Sequence, residues 1–338
     1  MQDTLWTGKK LDLIGFGSVF LPPGEAKRTF IDAVDVGYRH FDFAEMYGNQ
    51  KELGEGINEV LSAGKVKRED LWITSKLWNT EHHPQHVEAA CRKTLSDLQL
   101  SYLDLYHVHG LVGLARGQGY FPKDKDGKSL WDEDRVPLID TWREMEKLVD
   151  KGLVRQIGIC NAPVSVINDL WAGARIKPAV VQVELHVFNQ MRRLIEFCGS
   201  KSIHVTAFCP LARCGQNTIV RSEVIHLGQK ITPEQAAADK KKVNIFENET
   251  LKKIASKHKK TIPQVALRYI VQLGEDIGKP WSRKLVSVIP KSQVKTRQIE
   301  NFNSWFTLDK EDMDELEGLD EGLRVCLGPI GYGLPTFE

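Results

Sequence analysis

The chain has 338 residues, of which 41% are hydrophobic and 27% charged, and its formal net charge is +1. This composition is typical of a globular protein with a full core and excludes a disordered, collagen-like or disulfide-stapled chain. With 46 Lys and Arg against 45 Asp and Glu, the charge indicates neither a nucleic-acid surface nor an anionic-membrane surface. We therefore expect small-molecule chemistry.

The N-terminal sequence has neither the basic-then-apolar pattern of a signal peptide nor a run of about 20 apolar residues that could span a membrane. We expect a cytoplasmic protein with no membrane or nucleic-acid partner. Its six cysteines include no Cys-x-x-Cys pair, which favours reduced thiols over a disulfide framework or a zinc site.

Short β-rich segments alternate along the chain with segments of helical periodicity. The predicted strands are Leu11–Gly17, Tyr38–Phe43, Leu71–Leu77, Leu103–His109, Val154–Ile159, Ala179–Leu185, Ile203–Phe208 and Leu285–Ile289. Between them, apolar residues recur at spacings of three and four, as in Leu53, Ile57 and Val60, which places them on one helical face. This order predicts a parallel sheet, either doubly wound or closed into a barrel, and eight repeats favour the (β/α)₈ barrel.

A doubly wound nucleotide-binding sheet usually carries a glycine fingerprint after its first strand. Here Gly15 and Gly17 are not followed by the third glycine of that motif. Although the length alone allows about two domains, α/β barrels often exceed that length in one domain. We therefore predict one TIM-barrel domain over residues 1–338, in the α/β class. Its surplus length is expected in active-site loops and a tail, at 110–136, 212–246, 274–284 and 322–338.

Polar and aromatic side chains stand at the C-terminal ends of the predicted strands, where a barrel gathers its active site. In strand order these residues are Asp42, Tyr47, Lys76, His109, Asn161, Gln182 and Phe208, with Ile289-Pro-Lys-Ser292 after the eighth strand. Each one alone has an ordinary structural explanation, such as a turn-capping carboxylate, a solvated lysine or a core imidazole. Their convergence on one mouth favours chemistry.

A tyrosine beside a lysine is suited to protonating a carbonyl oxygen. The tyrosine hydroxyl has an unperturbed pKa of about 10, and a nearby ammonium lowers that pKa by stabilising the anion. Lys76 is the candidate cation for Tyr47, Asp42 is the partner that keeps Lys76 charged, and His109 would orient the substrate oxygen. Because no residue of the set is suited to attack carbon, the electrons must come from a cofactor.

At this point the motifs resemble the aldo-keto reductase family. The signature run Gly37–Asn49 contains Asp42 and Tyr47. Four further motifs follow in family order, at 75–78, 103–109, 157–161 and 289–292, and three at 93–98, 120–122 and 324–326 point to the aldose reductase and aldehyde reductase branch. The resemblance spans essentially the whole chain. It implies a usually monomeric barrel that uses NADPH to reduce aldehydes, ketones and some aldoses, with Asp42, Tyr47, Lys76 and His109 as the catalytic tetrad and Tyr47 as proton donor.

The same resemblance implies a cofactor site. Asn161 and Gln182 match the residues that hold the nicotinamide carboxamide, and Phe208 matches the aromatic residue that stacks on its ring. Lys291, Ser292 and Arg297 match a 2′-phosphate pocket, and a guanidinium suits that doubly charged group; from charge alone, a solvated basic helix start explains them equally well. The expected cofactor residues are Cys160, Asn161, Gln182, Phe208, Cys209, Pro210, Leu211, Ile289, Lys291, Ser292, Arg297, Glu300 and Asn301.

The expected walls of the substrate pocket are Val19, Trp78 and Cys326. The family's usual His-Trp-Pro after the fourth strand is His109-Gly-Leu111 here, and the tryptophan usual after the first strand is replaced around 18–20. These departures predict a wider or differently shaped pocket and make a sugar-specific assignment unsafe.

Two other functions compete with this interpretation. His107 and His109 lie on one strand face at a metal-ligand spacing, with His186 as a third candidate, so a metal-dependent hydrolase is an alternative. That reading leaves Tyr47 and Lys76 unexplained, and we expect no metal. The second alternative is an NADPH-binding, redox-sensing partner protein with little turnover.

Overall fold

In the computed structural model, the described residues are 1–132, 136–213, 244–281 and 283–326. A two-stranded antiparallel hairpin precedes a sheet of eight parallel strands in sequential order. The strands are β1 (Gln2–Thr4), β2 (Lys10–Asp12), β3 (Phe16–Gly17), β4 (His40–Asp42), β5 (Trp72–Leu77), β6 (Leu105–Val108), β7 (Ile157–Cys160), β8 (Val180–Glu184), β9 (His204–Phe208) and β10 (Val286–Val288).

Backbone hydrogen bonds join the two edges of this sheet. The N–H of Gly15 donates to the carbonyl of Val288 at 2.8 Å, and the N–H of Val288 donates to the carbonyl of Leu13 at 2.8 Å. Because β3 and β10 are thus connected, the sheet forms a barrel without a free edge at this point. The predicted (β/α)₈ fold is confirmed.

Helices separate the barrel strands and cover the outside of the sheet. Within the described residues they are α1 (Ala26–Val36), α2 (Gln50–Ser62), α3 (Pro84–Asp97), α4 (Leu138–Asp150), α5 (Val164–Gly173), α6 (Arg192–Ser200), α7 (Glu249–His258), α8 (Ile262–Ile277), α9 (Lys295–Phe302) and α10 (Lys310–Glu317). Their buried apolar faces and the barrel strands share one large hydrophobic core. No described helix combines the length and apolar character needed to cross a membrane.

The predicted first strand, Leu11–Gly17, is corrected by the structure. Its first part belongs to β2, which pairs with β1, and only Phe16 and Gly17 form the barrel strand β3. Leu11 is buried against Trp72 and Leu105, the first residues of β5 and β6. The hairpin therefore covers the N-terminal end of the barrel, opposite the predicted active site.

The predicted loops agree only in part with the structure. Residues 274–277 are the last turn of α8 and Lys279–Trp281 is a short 3₁₀ helix, so the expectation of a loop over 274–284 is wrong at its start. Gly274 permits this packing, because a Cβ there would lie 2.6 Å from the Cβ of Val286. Residues 214–243 and 327–338, most of two other predicted loops, lie outside the described residues.

Candidate active site

The strand-end residues meet at the C-terminal mouth of the barrel, around a cavity of about 270 Å³. The predicted site residues that line it are Val19, Asp42, Tyr47, Trp78, His109, Asn161, Gln182, Phe208, Cys209, Ile289 and Cys326. Lys76 lies behind this lining and is fully buried. The carboxyl ends of parallel barrel strands place these side chains together although they are distant in sequence.

Lys76 is the buried cation at the centre of the site. Its Nζ donates hydrogen bonds to the Asp42 carboxylate, to the carbonyl of Phe43 at 2.8 Å and to the hydroxyl of Tyr47 at 3.4 Å. The second carboxylate oxygen of Asp42 accepts from the Gln182 amide at 2.7 Å. A buried ammonium is tolerable only with such partners, so Gln182, Asp42, Lys76 and Tyr47 form one connected network.

Tyr47 is presented by a single 3₁₀ turn, Glu45–Tyr47, directly after β4. Gly48 ends this turn with a φ of 70°, a left-handed conformation that glycine adopts without a steric penalty. The tyrosine ring packs edge-on against His109 at a centroid distance of 5.9 Å. The hydroxyl of Tyr47 and the imidazole of His109 thus border the same cavity.

The pKa of Tyr47 differs from the prediction. Burial raises its pKa well above the usual range, and the Asp42 carboxylate raises that pKa further. The expectation that Lys76 lowers the pKa of Tyr47 is therefore wrong for this structure. The phenol keeps its proton at neutral pH, and Lys76 is in position to stabilise the tyrosinate as it forms.

His109 is a neutral imidazole at neutral pH. Burial lowers its pKa well below the usual range, and the charge of Lys76 lowers that pKa further. A neutral imidazole donates one N–H hydrogen bond to a substrate oxygen, but that N–H is too weak an acid to transfer its proton.

Asn161 supports the strand end that carries His109. Its side-chain amide donates to the carbonyl of His109 at 2.9 Å, and its φ of 57° is a left-handed value that asparagine adopts more readily than most residues. Both amides expected at a nicotinamide carboxamide, Asn161 and Gln182, do line the cavity. Their hydrogen bonds to His109 and Asp42 were not foreseen from the sequence.

The remaining cofactor candidates lie on two segments at the mouth. Cys160 ends β7 and is buried, while Phe208 ends β9 and is followed by Cys209, Pro210 and Leu211. The other segment precedes and forms α9, and it carries Lys291, Ser292, Arg297, Glu300 and Asn301. From Ile289, which lines the cavity, the chain thus leads within a few residues to Lys291 and Ser292 and then into α9.

The basic residues at α9 suit an anion. Burial lowers the pKa of Lys291, and no carboxylate of the described residues is among the groups that act on it. Arg297 is exposed on the first turns of α9. Ser292 is less available, because its hydroxyl accepts from the N–H of Val294 at 3.1 Å.

Aromatic residues form much of the cavity wall. The indole N–H of Trp78 donates to the carbonyl of Tyr120 at 2.8 Å, and its ring lies 5.4 Å from that of Phe121. Phe20 packs against Tyr47 at 5.8 Å and supplies an aromatic ring in the segment where a tryptophan was noted as missing. Lining residues that were not predicted from the sequence are Gly17, Ser18, Phe20, Met46, Asn79, Gly110, Leu111, Val112 and Phe121.

Two of these lining residues, Phe20 and Phe121, could have been predicted from the sequence. Phe20 and Phe121 are large aromatic side chains in loops rich in Pro, Gly and Lys, and they are 58% and 49% exposed in the fold. An aromatic residue in such a loop often contributes to a binding surface.

The three histidines proposed as metal ligands, His107, His109 and His186, do not surround a common site. His107 is fully buried inside the barrel, whereas His109 faces the cavity and His186 bonds to Glu184 at 3.0 Å. In the part of the chain that the structure describes, no three His, Cys, Asp or Glu side chains are arranged to hold a metal ion. The described residues therefore give the hydrolase alternative no support.

Comparisons with known proteins agree with the barrel fold and also identify the protein family. A sequence model of the Aldo/keto reductase family matches residues 13–321. The chain is 39% identical over 325 residues to aldo-keto reductase family 1 member A1 of Bos taurus, covering 96% of this chain and 90% of the bovine protein. It is 39% identical over 345 residues to the NADPH-dependent D-xylose reductase of Candida boidinii, covering 99% of this chain and 98% of the Candida protein. The solved structure of the aldose reductase from Schistosoma japonicum matches with a TM-score of 0.83 at 36% identity, covering 99% of this chain and 97% of that one.

Proposed function

Because this chain belongs to the aldo/keto reductase family, we propose that it reduces aldehydes and ketones to alcohols with NADPH and with Tyr47 as proton donor. The observation that carries the proposal is the position of Tyr47, whose hydroxyl lies 3.4 Å from the buried Lys76 Nζ and whose ring packs against His109. This arrangement is suited to bind a carbonyl oxygen and to give it one proton.

The chemistry of the residues at the mouth supports NADPH as the cofactor. Asn161 and Gln182 offer amide groups to a carboxamide, and Phe208 offers a ring for stacking. Lys291 and Arg297 provide positive charge for the additional phosphate that distinguishes NADPH from NADH. When bound, NADPH supplies the hydride.

Proton transfer is the task of the chain's own residues. We assign Tyr47 and His109 to hydrogen bonds with the carbonyl oxygen, which orient and polarise it. Tyr47 then gives its proton to that oxygen as negative charge develops there. Lys76 stabilises the tyrosinate left behind, and Asp42 keeps Lys76 charged and directed at Tyr47.

The cavity favours an apolar carbonyl substrate. Its walls include Trp78, Leu111, Val112 and Phe121, and the polar groups converge near Tyr47. An aromatic aldehyde would bury its ring against these walls while its oxygen meets the polar end. Benzaldehyde is therefore the substrate of choice for an assay.

Tyr47→Phe tests the assignment of the proton donor. We expect kcat for NADPH-dependent reduction of benzaldehyde to fall by about 10²–10⁴-fold, the usual contribution of a general acid. NADPH binding, followed by quenching of protein fluorescence, should change little because the hydroxyl is not needed for it.

The same experiment separates the redox-sensing alternative from the reductase. A binding protein with little turnover would show the same slow NADPH oxidation in wild type and in Tyr47→Phe. Equal rates in the two proteins, together with intact NADPH binding, would contradict the proposed reductase activity.

A further inference from the structure

The C-terminal segment of residues 321–326, here called the mouth segment, runs beside β8 at the opening of the barrel. The N–H groups of Glu321 and Leu323 both donate to the carbonyl of Phe188, at 3.1 and 2.9 Å. The N–H groups of Val325 and Cys326 both donate to the carboxylate of Glu184, at 2.5 and 2.9 Å. Four backbone groups of the mouth segment are therefore bound by two residues, Glu184 at the end of β8 and Phe188 in the loop that follows it.

Glu184 is a buried carboxylate with three N–H donors. It is the last residue of β8 and is 1% exposed. Besides the two backbone groups, it is bonded by Nε2 of His186 at 3.0 Å, while Nδ1 of His186 accepts from the N–H of Phe188 at 3.3 Å. Since Nδ1 of His186 accepts, its Nε2–H is the group that donates, and the two Glu184 oxygens share three N–H donors.

This anchor fixes one wall of the cavity. Cys326, held through its own N–H, lines the cavity, and its sulfur is hydrogen-bonded to the thiol of Cys209, which follows the last residue of β9. Glu184 is also paired in register with Phe208, the residue before Cys209. Glu184 thus determines where Cys326 stands relative to the proposed nicotinamide-stacking ring.

We propose that Glu184 is a positioning residue that sets the shape and size selectivity of the substrate cavity by holding the mouth segment in place. Glu184 does not line the cavity, so it acts through Val325 and Cys326. The selectivity part of this inference rests on the proposed function, whereas the anchoring part does not.

Glu184→Gln removes the charge and one acceptor while preserving shape. Its amide N–H₂ would meet a backbone N–H, so the bonds to Val325 and Cys326 cannot both persist. We expect alkylation of Cys326 by iodoacetamide, quantified by peptide mass spectrometry, to accelerate about ten-fold, which corresponds to roughly 1.4 kcal/mol. Cys91 and Cys198, both buried in the core, serve as internal references in the same digest.

Substrate selectivity provides the second readout. In Glu184→Gln, the ratio of kcat/KM for biphenyl-4-carboxaldehyde to that for benzaldehyde should rise about ten-fold, chiefly through KM of the larger aldehyde. NADPH affinity, measured by fluorescence quenching, should stay within about two-fold of wild type.

Glu146→Gln is the matched control. Glu146 is also buried, at 5% exposure, and its carboxylate accepts from two consecutive backbone N–H groups, those of Arg175 and Ile176, at 2.7 and 2.9 Å. It lies on α4, away from the cavity lining. Glu146→Gln should lower thermal stability about as much as Glu184→Gln without changing Cys326 alkylation or substrate selectivity.

The outcomes separate the two proposals. Unchanged Cys326 alkylation in a folded Glu184→Gln protein, or an equal increase in Glu146→Gln, would overturn the anchoring role. If alkylation accelerates but selectivity is constant, the role in selectivity is wrong. If wild type reduces no carbonyl compound, the proposed function fails while the alkylation comparison still decides the anchoring role. Should Glu184→Gln not fold, Glu184→Asp, which keeps the charge but shortens the side chain, is used in the same two measurements.

Discussion

At the scale of single residues, the contact that organises the site is the ion pair of Lys76 and Asp42. Both side chains are almost fully buried, and burying two charges costs several kcal/mol per ion before their attraction and hydrogen bonds offset it. A pair of well-packed apolar residues would stabilise the barrel at least as well. The pair is therefore better explained by the chemistry of Tyr47 than by stability.

Residue identity was the part of the site most open to sequence reasoning. Asp42, Tyr47, Lys76 and His109 were predicted from their positions after strands, and the structure brings all four to one mouth. The hydrogen bond between Gln182 and Asp42 was not predictable, because it joins positions in β8 and β4 whose rotamers depend on the closed barrel.

Arg297→Ala tests the proposed phosphate contact at the scale of one residue. Loss of a hydrogen bond to a charged group predicts that KM for NADPH rises about 10- to 100-fold, while KM for NADH changes by less than about two-fold. Initial rates at varied cofactor concentration measure both constants. Arg143→Ala, at an exposed α4 position 63% accessible to solvent, is the control and should alter neither KM. If the KM values for NADPH and NADH changed equally in Arg297→Ala, Arg297 would not contact the additional phosphate of NADPH.

At the scale of elements, close backbone approaches decide where small residues are needed. Gly54 lies in α2, and a Cβ placed on it would come within 2.3 Å of the carbonyl oxygen of Asp97 and 2.9 Å of the Cα of Leu98. Both neighbours are main-chain atoms at the end of α3, so neither moves without shifting that helix. The apolar periodicity of α2 was readable from the sequence, but this contact between two helices was not.

Gly54→Ala consequently has the opposite effect from an ordinary helical substitution. Alanine normally favours a helix over glycine by about 1 kcal/mol, but overpacking here should destabilise the fold by about 1–3 kcal/mol. Urea denaturation followed by circular dichroism measures the difference. The exposed Asn58→Ala in the same helix should change stability by less than about 0.5 kcal/mol. A stabilised Gly54→Ala protein would show that α2 and α3 are less tightly packed.

At the scale of the whole molecule, burial holds several histidines in the neutral form. Burial lowers the pKa of His40 and of His82 to about 4, from an ordinary value of 6.5. An unfolded imidazole binds a proton as the pH falls below about 6.5, whereas these two bind one only near pH 4. Their contribution to stability is therefore fully present above pH 6.5 and is lost progressively as the pH falls towards 4.

Measuring the free energy of unfolding at two pH values tests whether the fold loses stability as the pH falls. Between pH 7.5 and 5.5, each of the two histidines should lower the free energy of unfolding by roughly 1.4 kcal/mol. His82→Asn should reduce the wild-type pH dependence by about that amount, since Nε2 of His82 has no hydrogen-bond partner among the described residues. Urea titrations at the two pH values supply the measurement. An identical pH dependence in wild type and His82→Asn would mean that His82 is accessible to protons in the fold.

The barrel as a whole was predictable because its signal is repeated along the chain. Buried strands alternating with amphipathic helices, and the absence of a nucleotide-binding glycine motif, favoured one closed sheet. The assignment of Leu11–Gly17 to one strand failed because a local β pattern does not reveal its pairing partner. Here β2 pairs with β1 and covers the barrel end, which is a long-range choice.

The sequence by itself determined the fold class and the residue types at the strand ends, since periodicity and motif spacing are local properties of the chain. Only the tertiary structure decided that the pKa of Tyr47 is raised and that of His109 lowered, because a pKa depends on burial and on charges brought from other strands. It also decided that Glu184 binds Val325 and Cys326, which are more than 140 positions away along the chain. Such contacts exist only once the barrel has closed and the mouth segment has packed against β8.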